Sequence, residues 1–252
     1  MKYILKTFTA TLLIVLLTTL CFGQFKFGEF ESDSIPKKED KKSLNDKVIN
    51  RNLGLDIGTG GFMYDMNTAL PVAIGDLETK GLSLHYTLHA ITQSVRLGNN
   101  QLRLGYGLAF DFNRNSFVNN TRIRSEVDDL TIIDNVANYK KRIFTNFYAT
   151  VPVMVQFYSN PESYKKSLRI GAGMYGSMHL GSRMKLKGNK TDKVKILDDF
   201  NLNRFKYGAT ARIGFRSITA YGKMDLSPAF TGSEETEKIG AYTIGLSVLR
   251  SF

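Results

Sequence analysis

The chain has 252 residues, of which 42% are hydrophobic and 12% aromatic, with 22 Gly, 5 Pro and a single Cys. This composition excludes a disordered chain, a disulfide framework and a collagen-like or proline-rich protein. The formal charge of +11 suits an anionic lipid surface or nucleic acid, and charge alone does not choose between them.

Residues 1–23 have the layout of a cleaved signal peptide. Lys2 and Lys6 supply the positive start, Leu12-Leu13-Ile14-Val15-Leu16-Leu17 the apolar centre, and Cys21-Phe22-Gly23 a small residue at the cut, so Gln24 opens the mature chain. A transmembrane anchor needs ~18–20 apolar residues, and the solid run here is about 14. Residues 24–51 follow as a periplasmic linker. From Glu29 to Lys47, Lys, Glu, Asp and Ser mix with Pro36 and show no hydrophobic period, which predicts disorder.

From Asn52 to Phe252 the pattern has period two. In Gln101–Asn113 one face holds Leu102, Leu104, Tyr106, Leu108, Phe110 and Phe112, and the other holds Arg103, Gly105, Gly107, Ala109 and Asp111. Successive side chains of a strand point to opposite faces, so such alternation predicts an extended strand. Two further segments repeat it, one from Ser167 to Leu180 and one from Arg204 to Arg216. Five others fit less cleanly: Asn52–Asp65, Gly81–Leu97, Ile143–Tyr158, Ile218–Leu226 and Ala241–Phe252. That makes eight strands, many of the ~9–11 residues that a tilted membrane-spanning strand requires.

The connections alternate in length. Gly98-Asn99-Asn100, the segment around Pro161 and the junction at Arg216-Ser217 are short, whereas roughly 66–80, 114–142, 187–203 and 227–240 are long. Short turns on one rim and long loops on the other are how outer-membrane barrels are built, with the short turns in the periplasm. The apolar face is rich in Leu, Phe, Tyr, Met and Ile, and the opposite face in Gly, Ala, Ser, Thr, Asp and Arg. An eight-stranded barrel is only wide enough for side chains to fill it, so the small and charged face belongs inside and the bulky face meets lipid. The predicted fold is all-β, an eight-stranded antiparallel up-and-down transmembrane β-barrel with short periplasmic turns and long extracellular loops. Aromatics near strand ends fit interfacial girdles, with Phe110, Phe112, Phe205, Tyr207 and Tyr242 at the outer rim and Phe157, Phe215 and Phe252 at the inner.

By parity the inward face carries Asp56, Arg103, Arg169 and Arg212 near the periplasmic end, and Asp111, Arg142, Arg183, Lys206, Lys223 and Asp225 nearer the outside. Buried charges must be paired and hydrogen-bonded, which predicts lumenal ion-pair networks that plug the barrel. The alternative is a narrow anion-preferring conduit, since charged rings set selectivity in pores. His85 and His89 share the inward face but stand about 13 Å apart along a strand and cannot chelate one metal alone. His179 is also inward, and no metal or other cofactor is expected. His85 with Ser83 and Asp111 is the one conceivable catalytic set, with no motif to frame it, so the expectation is not an enzyme. Pro152 lies mid-strand, where it lacks a ladder donor and predicts a bulge or gap. The segment from Lys185 to Arg204 carries five lysines against three aspartates and, facing outward, would meet the phosphates of lipopolysaccharide. No nucleic-acid motif is present.

The final segment, Tyr242 to Phe252, ends on an aromatic and resembles the C-terminal signal read by the barrel assembly machinery, with Phe252 as the assembly residue. More widely, residues 52–252 resemble the PorT-like family of small outer-membrane β-barrel proteins. Asn113-Arg114-Asn115-Ser116-Phe117, Val151-Pro152-Val153, Gly171-Ala172-Gly173-Met174-Tyr175-Gly176 and Phe205-Lys206-Tyr207-Gly208 carry the resemblance. It implies the outer membrane of a Gram-negative bacterium, and for some relatives an accessory role in type IX secretion. The leading expectation is a structural or interaction protein of the cell envelope, in contact with lipid, lipopolysaccharide and envelope or secretion proteins. A secretion accessory, and then a transport conduit or outer-membrane enzyme, are the alternatives.

Overall fold

A computed structural model describes residues 48–65, 77–80, 83–97, 101–125, 131–135, 139–160, 167–188, 193–215, 218–232 and 234–247. The chain divides into two units, 1–41 and 42–252. The first lies outside the described residues, as do the signal peptide, the linker through Lys47, the three short turns and Phe252.

The long strands are β1 (Val48–Tyr64), β2 (Leu84–Leu97), β3 (Leu102–Ser116), β6 (Lys141–Tyr158), β7 (Leu168–Lys187), β9 (Phe205–Phe215), β10 (Ile218–Asp225) and β11 (Ile239–Ser247). They pair in the order β6-β3-β2-β1-β11-β10-β9-β7, and β6 pairs again with β7. Every pairing is antiparallel. The sheet therefore closes into an eight-stranded barrel with no free edge along its wall. The remaining strands sit in the long connections. β4 (Thr121–Ser125) and β5 (Thr131–Asn135) form a separate hairpin, and β8 (Lys193–Leu197) adds to the end of β7 beyond β9.

Several boundaries differ from those read in the sequence. β1 begins at Val48, inside the segment assigned to the linker, because Val48–Asn52 pair with Ile91–Val95. A neighbour's hydrogen-bond ladder outweighs a polar local sequence. β6 starts at Lys141 and β7 runs on to Lys187, so the wall rises beyond the stretches of clean alternation. The segments 114–142 and 187–203, expected as loops, hold the β4–β5 hairpin and β8.

The faces sort as side-chain size requires. Leu102, Leu108, Val151, Val153, Ile170, Met174, Ile213 and Ile244 are exposed on the outer wall. Arg103, Asp111, Thr150, Arg169, Ser177 and Arg212 are buried within it. Two bulges break the parity. Ala90 is skipped between β2 and β3, and Leu180 is skipped where Phe147 pairs with Gly181 but Tyr148 with His179. Beyond each bulge the strand presents its other side to the lumen. Pro152 produces no bulge. The β3–β6 ladder loses its pairs at Gly107 and Leu108 and resumes in the same register, the local gap expected of a residue without an N–H.

A hydrophobic core occupies the loop-rich end of the barrel. Phe62, Phe144, Met184, Leu186 and Ile239 come from the strand ends, and Leu77, Phe117, Ile123, Phe200, Leu202, Ala229 and Phe230 from the connections. Phe144 and Phe200 meet edge to face at 5.2 Å, and Phe62 packs on Phe230 at 5.7 Å. Leu202 bridges to Phe230, and Asn203 donates its backbone N–H to Ala229 O at 3.0 Å, so two of the long connections are tied together above the lumen.

Candidate functional site

Among the described residues the lumen holds three carboxylates, each matched to a cation from a different strand. Asp56 on β1 is fully buried and accepts from both arms of Arg212 on β9. It also accepts from Ser247 Oγ at 2.6 Å, and His89 Nε2 lies 2.8 Å away. The Arg212 guanidinium rests 5.4 Å from the Tyr221 ring centre.

Asp111 on β3 pairs with Lys223 on β10 at 2.9 Å. It also accepts from Thr87 and, at 2.6 Å, from Thr150, whose hydroxyl lies 2.8 Å from Ser177 Oγ. Asp225 on β10 pairs with Lys206 on β9 at 3.0 Å and accepts from the Tyr175 hydroxyl. Lys206 Nζ stands 4.2 Å above the Tyr148 ring. The paired side chains come from β1 and β9, from β3 and β10, and from the neighbours β9 and β10. Two of the three pairs therefore cross the barrel, and closure is what makes them partners. Each carboxylate finds several donors, which is the condition for a buried charge to be tolerated.

Arg103 and Arg169 lie nearer the short-turn end. Arg103 stacks 4.0 Å from the Tyr158 ring centre, and the Tyr158 hydroxyl donates to Gln156 Oε1 at 2.9 Å. Arg169 donates to Thr219 Oγ1 at 3.0 Å. Nearer the other end, His85 bridges Thr243 Oγ1 at 2.7 Å and Asn115 Oδ1 at 3.0 Å. With Nε2–H facing an amide oxygen, Nδ1 is left to accept from the threonine hydroxyl. Arg142 donates to the carbonyls of Asn119 and Tyr139 and to the Asn120 side chain, which anchors the loop after β3.

One expected member of the network is not in the lumen. Arg183 is exposed on the outer wall, because the bulge at Leu180 reverses the parity of β7. Met184 and Leu186 take the inward places and join the apolar core. The sequence carries no signal of this, because apolar residues keep the even positions from Leu168 through Met184 and Leu186, and the alternation runs unbroken past the bulge.

The conceivable catalytic set is not assembled. His85 faces Asn115 and Thr243, Asp111 faces Thr87, Thr150 and Lys223, and Ser83 Oγ accepts from the Ser116 N–H. The three histidines have separate partners, with His179 near Ser182 and Tyr148. Among the described residues no three metal-ligating side chains converge.

Tyrosines complete the filling; of these, parity puts Tyr175 on the inward face with Arg169 and Ser177. Tyr148, Tyr158, Tyr175 and Tyr221 all point inward. Tyr175 lies across Gly208 of β9, where a Cβ would come 2.5 Å from its ring carbon Cζ. Glycine there leaves room for the ring to reach Asp225. Between the two upper pairs remains a void of about 20 Å³, room for a single water.

The closed antiparallel wall, outward apolar belt and polar interior are the build of an outer-membrane barrel. A sequence profile of the outer membrane protein beta-barrel domain matches residues 39–231. The chain belongs to this family. The match stops before β11, the strand that closes the barrel against β1. Among solved structures, the chain is similar to Ail, the attachment invasion locus protein of Yersinia pestis. The identity is 9%, with 80% of this chain and 97% of that one covered, at a TM-score of 0.32. Ail in complex with the heparin analogue sucrose octasulfate aligns at 12% identity, covering 79% and 96% of the two chains, at a TM-score of 0.28. No curated protein matches the sequence.

Proposed function

We propose that this outer-membrane barrel is a plugged, non-conducting protein that acts as a structural or interaction element of a Gram-negative envelope. Export would use the signal peptide 1–23, and a mature chain beginning at Gln24 is its check. The observation that carries the reading is the filled lumen. Three carboxylate–cation pairs obstruct it, the upper void has room for one water, and the apolar core lies over the loop-rich end. An ion path would need a continuous wet route, and each ion would have to displace a paired charge.

The work is then left to surfaces outside the lumen. Planar-bilayer recording of the folded chain is the test. The expected result is a flat baseline under applied voltage. Discrete, reproducible single-channel steps from the folded protein would overturn the reading. The narrower PorT-like reading, an accessory of type IX secretion as in some members of that family, rests on the resemblance carried by Asn113–Phe117, Val151–Val153, Gly171–Gly176 and Phe205–Gly208. It requires secretion components to co-purify with the chain from crosslinked envelopes.

A further inference from the structure

The bulge at Leu180 has a second effect, on the outer wall. It turns Arg183, Lys185 and Lys187 outward, and register aligns them with neighbours across β3, β6, β7 and β8. Arg114 pairs with Thr145 and Thr145 with Arg183. In the next row toward the loops, Ile143 pairs with Lys185 and Lys185 with Lys195. One row further, Lys141 pairs with Lys187 and Lys187 with Lys193. These three rows hold seven cations and no carboxylate.

Immediately below them, toward the short-turn end, Tyr86 pairs with Phe112 and Phe112 with Phe147. The two phenylalanine rings stack at 4.4 Å. A groove of about 380 Å³ runs between the aromatic row and the basic rows. It is lined by Tyr86, Phe112, Ile143 and Thr145 together with Arg114, Arg183 and Lys185.

We infer that this groove binds the phosphorylated headgroup of an outer-leaflet glycolipid. Paired residues on adjacent antiparallel strands stand ~4.5–5.5 Å apart. Arg114 and Arg183 therefore flank Thr145 with their Cα atoms about 10 Å apart, close enough for two guanidinium forks to close on one phosphate. Lys185 and Lys195 follow one row outward, two residues or ~7 Å along the strands, as point charges for a second phosphate or the next sugar.

The aromatic row identifies the source of the anion. Aromatic side chains of a barrel sit at the headgroup level, and here they form the lower wall of the same groove. A lipid presents acyl chain and sugar to that wall and phosphate to the cations above it. A free anion would use only the cations. Seven like charges on one face repel each other until an anion neutralises them, and the phosphorylated leaflet supplies it at this depth. The inference goes beyond the plugged-barrel reading and stands whether or not the lumen conducts.

The test titrates the full folded chain in detergent with diphosphorylated lipid A, with its dephosphorylated form and with inorganic phosphate, read by native mass spectrometry. Saturable retention of the phosphorylated lipid is expected, with weak retention of the dephosphorylated form and no displacement by inorganic phosphate. Arg114→Gln with Arg183→Gln should weaken retention by about thirtyfold, as expected for two interfacial cations. Both side chains point away from the lumen, so the gel shift between boiled and unboiled samples should stay as in the parent. Lys185→Gln with Lys195→Gln is the second variant pair, with a loss of the same size, about thirtyfold. Equal retention of the dephosphorylated lipid, displacement by inorganic phosphate, or parental affinity in either variant pair would overturn the assignment.

Discussion

Asp56→Asn should weaken the barrel more than any other single change of comparable size. The side chain is fully buried and receives Arg212, His89 and Ser247. Asparagine keeps the volume and one acceptor oxygen but removes the charge. Arg212, itself buried, then has no carboxylate, and breaking one side of a buried pair costs about 3–5 kcal/mol. The Tyr221 ring 5.4 Å away already faces the guanidinium in the parent and offsets none of this, so a loss of about 3–5 kcal/mol is expected. Arg212→Met should cost a similar amount, because Asp56 would keep only Ser247 and His89. The double variant removes both charges together. Its cost should fall short of the sum of the singles by about 2–3 kcal/mol, the coupling of groups in direct contact. Urea unfolding of the barrel in lipid vesicles is the assay, followed by loss of the fast-migrating unboiled band. The chain has 12 Tyr and no Trp, so tyrosine fluorescence is the second probe. Single variants within ~0.5 kcal/mol of the parent, or costs that simply add, would refute the claim that this pair holds the lumen together.

Two further outcomes follow from the packing. Gly208→Val puts a branched side chain where the Tyr175 ring lies and where Met224 O approaches. Tyr175 must leave Asp225, and overpacking of this kind costs about 1–3 kcal/mol, whereas Gly222→Ala, with nothing within 4 Å of its Cβ position, should change urea stability little. If both variants unfold at the parental midpoint, the tyrosine does not occupy that place. Phe144→Ala removes the ring that meets Phe117 and Phe200, at a cost of about 3–5 kcal/mol to the external core. Because that core joins the strand ends to the long connections, limited proteolysis should nick the loops sooner while the heat-modifiable band persists. Unchanged loop cleavage would mean that the core does not hold them.

The legible part of the lumen was the part governed by strict alternation. Asp111 on β3 and Arg212 on β9 sit in uninterrupted period-two stretches, and both point inward. Arg183 lies past a bulge, and one skipped residue reverses every side chain after it. The apolar core was missed because its members are scattered. Phe62, Phe144 and Ile239 lie near the ends of different strands, while Leu77, Phe117, Phe200 and Phe230 lie in connections without regular period. Local sequence carries no sign that these separate residues converge.

The sequence by itself determined the strands, their alternating faces and the alternation of short and long connections. Those properties are local, arising from side-chain direction along an extended backbone and from chain length between turns. Which charge meets which was decided by tertiary structure. Asp56 and Arg212 are 156 residues apart, and only the pairing of β1 with β11 bends the sheet far enough to bring their strands across one narrow lumen. The two bulges were likewise decided by register between neighbours. A ladder shared by two strands accommodates an extra residue wherever the combined packing of both faces is best, and neither strand states that position alone.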